Sequence, residues 1–227
     1  MSLIESKSGL EYIKRGENNK KAIFMLHGYG ASMNDLAGLY DVIKTDDDFD
    51  WIFPNGPISI PMGGMEGRAW FPIDMEELQR AMMTGEFRSF EDKEPVEFLK
   101  ALPLMKTFID ELSKDYDSII IGGFSQGAMV SSHITGEKFE KQIGLILFSG
   151  TLLAKDRLID ALENVKPMPF FQSHGKMDPV LNYNEAMQLF ETLKLCRLQG
   201  EFVSFDGAHE IPYPVVSKVG KYINSLG

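Results

Sequence analysis

Apolar and polar positions along the 227 residues fall into two alternating kinds of stretch. Short unbroken apolar runs are separated by longer segments in which apolar residues recur every three or four positions. Ala22-Ile23-Phe24-Met25-Leu26, Ile119-Ile120-Ile121 and Ile143-Gly144-Leu145-Ile146-Leu147-Phe148 are of the first kind. Continuous runs of this length, rich in β-branched residues, predict strands covered on both faces. Trp51-Ile52-Phe53, stopped by Pro54-Asn55-Gly56-Pro57, predicts another, as do Pro169 to Ser173 and Glu201 to Phe205. Leu10 to Arg15 alternates weakly and suits a short edge strand.

Helical spacing is clearest from Val96 to Leu112, where Phe98, Leu102, Met105, Phe108, Ile109 and Leu112 form one apolar stripe. Pro103 lies inside it and predicts a kink or a later start. Helices are also expected from Asn34 or Asp35 through Ile43, over Gln126 to Thr135, Lys155 to Glu163 and Tyr183 to Leu195, and from about Pro214. Strands alternating with helices imply one α/β domain over residues 1–227, a mainly parallel sheet with helices on both faces. Ligands of such sheets bind at the carboxyl ends of the strands.

From Met62 to Glu97 strand periodicity is lost, and a small insertion is expected there. Nine acidic residues stand against four basic ones in this segment, a net of −5 that is half the chain's −10. Such charge predicts a largely solvent-facing segment. Methionines 62, 65, 75, 82 and 83 also fall here.

The richest stretch is Ile119-Ile120-Ile121-Gly122-Gly123-Phe124-Ser125-Gln126-Gly127. A buried strand meets G-x-S-x-G and a helix follows at once, the pattern of a nucleophile elbow with Ser125 at its tip. The flanking glycines have a mechanical role, because a side chain two residues either side of the serine would strike a neighbouring strand or helix. The helix amino terminus beneath Ser125 offers free N–H groups and a positive dipole end.

A serine hydroxyl becomes a useful nucleophile when a histidine takes its proton, and a carboxylate then holds that histidine's tautomer. With G-x-S-x-G the acid and the histidine follow the serine in that order, which excludes His27. His133 lies two turns into the elbow helix, pointing away, and a surface or packing role is expected. His174 precedes the best acid. His209, in Asp206-Gly207-Ala208-His209-Glu210, follows the last strand on a loop able to reach Ser125, and is the candidate base. Asp156 and Asp160 read as an exposed helix face, and Asp206 as a turn former. Asp178, after a strand and before a loop, is the candidate acid. The two oxyanion donors expected are the backbone N–H groups of Gln126 and Tyr29, with His27 bracing the loop that carries Tyr29.

Composition narrows the field. Apolar residues are 44% and charged residues 25%, an ordinary soluble balance. Net charge of −10 leaves no basic face for nucleic acid or for anionic membranes. No run is long and apolar enough to span a bilayer, so no stable membrane insertion is expected. The single cysteine, Cys196, excludes an internal disulfide framework and suits a reducing compartment, with the cytoplasm expected. No H-E-x-x-H or comparable cluster points to a metal, and no cofactor is expected. A homodimer is left open.

With these pieces in place the chain resembles the phospholipase/carboxylesterase family of α/β-hydrolases, which contains acyl-protein thioesterases and small carboxylesterases. The resemblance rests on Leu26-His27-Gly28-Tyr29-Gly30, Pro54-Asn55-Gly56-Pro57, Trp70-Phe71, Gly123-Phe124-Ser125-Gln126-Gly127-Ala128, Phe148-Ser149-Gly150, His174-Gly175 with Asp178 and Val180, and Gly207-Ala208-His209-Glu210. It implies the α/β-hydrolase fold, a small-molecule ester or acyl substrate (acyl thioesters and lysophospholipids included), and Ser125, Asp178 and His209 as the triad. Trp70, Phe71, Met82 and Met83 are the expected substrate contacts, as a cover over an acyl or aryl group, the equal alternative being that the methionines fasten the insertion onto the domain. Relatives often carry aspartate where this chain has Pro72, and Pro72 to Glu97 is less like the family, so substrate preference does not carry over. Lactonase or peptidase action on the same fold, and a binding protein that kept the scaffold without turnover, are the alternatives.

Overall fold

The structure is a computed structural model and describes residues 3–62, 65–84 and 89–227. Its eight-stranded main sheet is built from β1 (Ile4–Glu5), β2 (Glu11–Arg15), β3 (Lys21–Leu26), β4 (Phe49–Pro54), β7 (Ser118–Phe124), β8 (Gln142–Phe148), β9 (Pro169–Gly175) and β10 (Gln199–Phe205), among the described residues. Spatial order is β1-β2-β4-β3-β7-β8-β9-β10. The pairs from β4 through β10 are parallel, while β1 and β2 join antiparallel at one edge.

The apolar runs are strands because both of their faces are covered. Ala22, Phe24, Leu26, Ile119 and Ile121 point to one side, against α3 (Val96–Leu112) and α4 (Gln126–Ile134). Ile23, Met25 and Ile120 point to the other, against α7 (Tyr213–Asn224). Leu145 and Leu147 of β8 pack on α5 (Lys155–Leu162) and α6 (Tyr183–Leu195). This is the mainly parallel sheet with helices on both faces, and the fold is that of the α/β-hydrolases.

Four local expectations need correction. The helix expected from Asn34 or Asp35 shrinks to α1 (Leu39–Val42). Residues before it turn by short-range bonds, Asp35 N–H to Ser32 O and Ala37 N–H to Asn34 O, and Met33 N–H is held by the Asn55 side chain. Local turns of Ser and Asn thus outcompete helix extension. Next, Pro103 does not delay α3, which already starts at Val96 and carries the proline inside it. It lies on the exposed face, where the carbonyl deprived of its partner can meet water. Finally, the 62–97 segment does contain strand: β5 (Ile58–Met62) and β6 (Met65–Ala69) pair antiparallel, followed by α2 (Met75–Thr84). Leu10–Arg15 also has β1 outside it, so it is not the outermost strand.

Strand register assembles the site. Leu26 pairs with Gly123, so the His27 loop begins beside the elbow. Phe124 pairs with Phe148, bringing Ser149 alongside, and Phe205 pairs with Gly175, bringing the 206–210 loop next to Lys176 to Asp178.

Candidate active site

Ser125 sits between β7 and α4 with φ 54° and ψ −118°. A non-glycine residue held at positive φ costs about 1–3 kcal/mol and persists only where its surroundings over-determine it. Here they do. Ser125 N–H donates to Phe148 O at 2.8 Å, and Ala128 and Met129 N–H groups close the first helical turn on Ser125 O. A Cβ at Gly123 would overlap the backbone of Gly127, and one at Gly127 would overlap the Leu26 carbonyl. The turn is possible only with glycine at both positions.

Asp178 is buried and its carboxylate is fully engaged. Oδ1 accepts from Val180 N–H at 2.8 Å and Leu181 N–H at 2.9 Å. Oδ2 meets His209 Nδ1 at 2.6 Å and His174 Nε2 at 3.2 Å. Burial alone would raise its pKa, but the bonds from His174 and His209 outweigh it and hold the carboxyl well below the usual carboxylate range. His174 is wholly buried and also reaches Leu181 O at 3.0 Å through the same Nε2, so that nitrogen carries its proton.

The His209 loop is fixed from three sides. Ser149, itself at φ 49°, donates its hydroxyl to Glu210 O at 3.3 Å. The Glu210 carboxylate accepts from Ala208 N–H at 3.2 Å. Phe124 packs on the His209 ring with centroids 4.8 Å apart. Ser125 and His209 line the same cavity, but the Ser125 hydroxyl makes no hydrogen bond to the imidazole among the described residues.

The loop after β3 is braced by His27. Its Nε2 accepts from Gly56 N–H at 2.9 Å, so the proton lies on Nδ1, which donates to Gly28 O at 2.7 Å. The hairpin adds a second brace, since Gly30 N–H bonds Arg68 O and Arg68 N–H bonds Ala31 O. Tyr29 and Gln126 both line the cavity beside Ser125, and no hydrogen bond within the protein occupies either backbone N–H among the described residues.

The expected substrate contacts fare differently. Trp70 and Phe71 are completely buried and form no part of the cavity wall, which corrects their expected place as a cover. Trp70 Nε1 donates to His27 O at 2.8 Å. The Gln126 side chain clamps the pair, accepting from Trp70 N–H at 2.9 Å and donating to Phe71 O at 2.7 Å. These residues therefore support the loop after β3 that carries Tyr29. Met83 is 88% exposed and faces solvent, not the cavity. The side chain of Met82 lies outside the described residues. Apolar walls come instead from Ile73, Phe90, Met129, Val180 and Leu181, enclosing about 350 Å³.

Other candidates fall away from the cavity. His133 is buried against Phe98 with Nε2 on Leu153 O at 2.8 Å, a packing role. Asp206 is exposed and paired with Lys176 at 2.8 Å. Cys196 is buried at the end of α6, and burial raises its thiol pKa. Among the described residues no group of three or more His, Cys, Asp or Glu is placed to hold a metal, and no helix is long and apolar enough to cross a membrane.

Burial lowers the pKa of His27 and of His133 to about 4 each, against 6.5 for a free histidine. The unfolded chain therefore binds protons that the folded protein does not between about pH 6.5 and 4. Stability is complete above that window and is lost as pH falls through it, by up to about 1.4 kcal/mol per pH unit for each histidine. Urea unfolding midpoints should drop between pH 7 and pH 5, before ordinary carboxylates titrate. A flat midpoint over that range would show that these rings are not buried as neutral imidazoles.

Comparison with known proteins agrees with this architecture. The family model described as phospholipase/carboxylesterase matches residues 9–226. Acyl-protein thioesterase 1 of Candida albicans is 30% identical, over 97% of this chain and 98% of its own length. Among solved structures, a carboxylesterase from Mesorhizobium loti superposes with a TM-score of 0.75 at 16% identity, over 98% of this chain and 97% of that one. Acyl-protein thioesterase 2 of Zea mays superposes with a TM-score of 0.73 at 20% identity, over 96% and 99%. Both structural likenesses speak to the fold. The sequence matches go further: this chain belongs to the phospholipase/carboxylesterase family of α/β-hydrolases and is a hydrolase.

Proposed function

We propose that the protein is a serine hydrolase of carboxylic esters and acyl thioesters, with Ser125 as nucleophile, His209 as base then acid, and Asp178 as the residue that orients the imidazole. The observation that carries this reading is the 2.6 Å bond from His209 Nδ1 to Asp178 Oδ2, at the wall of the cavity that His209 shares with Ser125. Asp178 fixes the tautomer, leaving Nε2 free to accept a proton. Rotation of the Ser125 hydroxyl toward Nε2 makes the remaining contact as substrate enters.

Ser125 Oγ then bonds to the acyl carbon as its proton passes to His209 Nε2. The carbonyl oxygen becomes an oxyanion held by the Tyr29 and Gln126 N–H groups. Collapse breaks the bond to the alcohol or thiol, which leaves with the proton from Nε2. Water attacks the acyl-enzyme in the same way, releasing the acid and restoring Ser125. The lone buried thiol supports a reducing, cytoplasmic setting for this chemistry.

A fluorophosphonate probe tests the reading directly. One label per chain, mapped to the peptide holding Ser125, is expected; labelling elsewhere, or none, overturns it. The apolar walls support an acyl group of intermediate length in the cavity. Met129 lines it while only 2% exposed, so Met129→Phe should shift the preferred p-nitrophenyl ester to a shorter chain. An unchanged chain-length profile in a folded variant would remove Met129 from the acyl site.

A further inference from the structure

A second apolar groove lies beside the cavity, lined by Leu36, Leu39, Val42, Phe124 and Ile211, with a volume of about 420 Å³. Phe124 and Asp35 belong to the walls of both, so the two spaces meet next to Ser125. No described side chain of the protein fills it, and Val42 stands 48% exposed on its rim. An apolar patch left open beside a reactive centre marks a place for an apolar group from outside.

We infer that this groove receives the apolar alkyl or aryl portion of the alcohol or thiol leaving group, an inference that rests on the serine-hydrolase reading. Direction decides it. The leaving atom must be protonated by His209 Nε2, so that half of the substrate departs on the imidazole's side of the acyl carbon. Phe124 packs on the His209 ring, and Ile211 lies two residues beyond His209 on the same loop, so the groove opens on that side. The acyl half has its own, more enclosed space between Phe90, Met129 and Leu181. The leaving group is present during acylation and gone before deacylation. The groove therefore acts on kcat/KM and leaves hydrolysis of the acyl-enzyme untouched.

Ethyl and benzyl butyrate share one acyl group and release alkoxides of similar basicity, so they isolate this effect. In Val42→Asp the benzyl-to-ethyl ratio of kcat/KM should fall about tenfold, the scale expected when a charge replaces one apolar side chain on the groove wall. Leu39→Ser should lower it in the same direction, and the hydrolysis rate of preformed butyryl-enzyme should match the parent in both. Val42 is an exposed position and Leu39 half-buried, so melting curves will report whether either variant is misfolded. An unchanged ratio in both folded variants, or a changed preference between butyrate and octanoate in its place, overturns the inference. Failure of the wider reading looks different: ester hydrolysis would then persist in Ser125→Ala, and the groove proposal would fall with it.

Discussion

Ser125→Ala should lower kcat for p-nitrophenyl butyrate by about 10⁴–10⁶-fold, because the acyl-enzyme can no longer form and only oxyanion binding and positioning remain. The same variant should lose all fluorophosphonate labelling. Its melting temperature should stay near the parent's, since the backbone bond from residue 125 to Phe148 O and the first turn of α4 do not involve the hydroxyl. Activity that survives at more than about one hundredth of the parent rate would place the nucleophile elsewhere, because a serine triad never loses so little when its nucleophile is removed.

The second large effect falls on stability. Gly127→Ala adds one methyl group where the carbonyls of Leu26 and His27 already lie against the helix. Those atoms are backbone and cannot rotate away, so β3 and α4 must separate or the elbow must open. Overpacking of this kind costs about 3 kcal/mol at the severe end, which corresponds to a fall in melting temperature of about 6–12 °C for a domain of this size. Activity should fall with it, since Leu26 leads directly into the His27–Tyr29 loop beside Ser125. A variant that melts within a degree or two of the parent and retains full turnover would show that helix and strand can yield without cost.

Much of this was readable along the chain because it is local. Continuous apolar runs became β3, β7 and β8, and three- and four-residue spacing became α3 and α6. G-x-S-x-G after a strand and before a helix announced a strained serine, and φ of 54° at Ser125 is that strain. The order of Asp178 and His209 after the serine singled out two residues 31 apart whose side chains meet at 2.6 Å. Chemistry needs particular residue types in a particular order, and both are written in one dimension.

Where the expectations missed, competing contacts from distant segments decided the outcome. Trp70 and Phe71 look like substrate-facing aromatics in a polar, glycine-rich stretch, yet Gln126 and the His27 carbonyl draw them into the interior behind the loop that carries Tyr29. His174 is set aside by its position in the chain, yet in space it lies on Asp178 opposite His209. The hairpin of β5 and β6 gave too weak a periodic signal, and β6 also bonds to Gly30 and Ala31, contacts that no local pattern encodes. The residues by themselves determined most of the elements, how they alternate and which side chains are the candidates for acyl transfer. Only tertiary structure decided which groups brace the loops around Ser125 and which side chains line the cavity and the groove beside it, because a buried polar group takes its partner from whatever strand register and packing bring within about 3 Å, however far away in the chain.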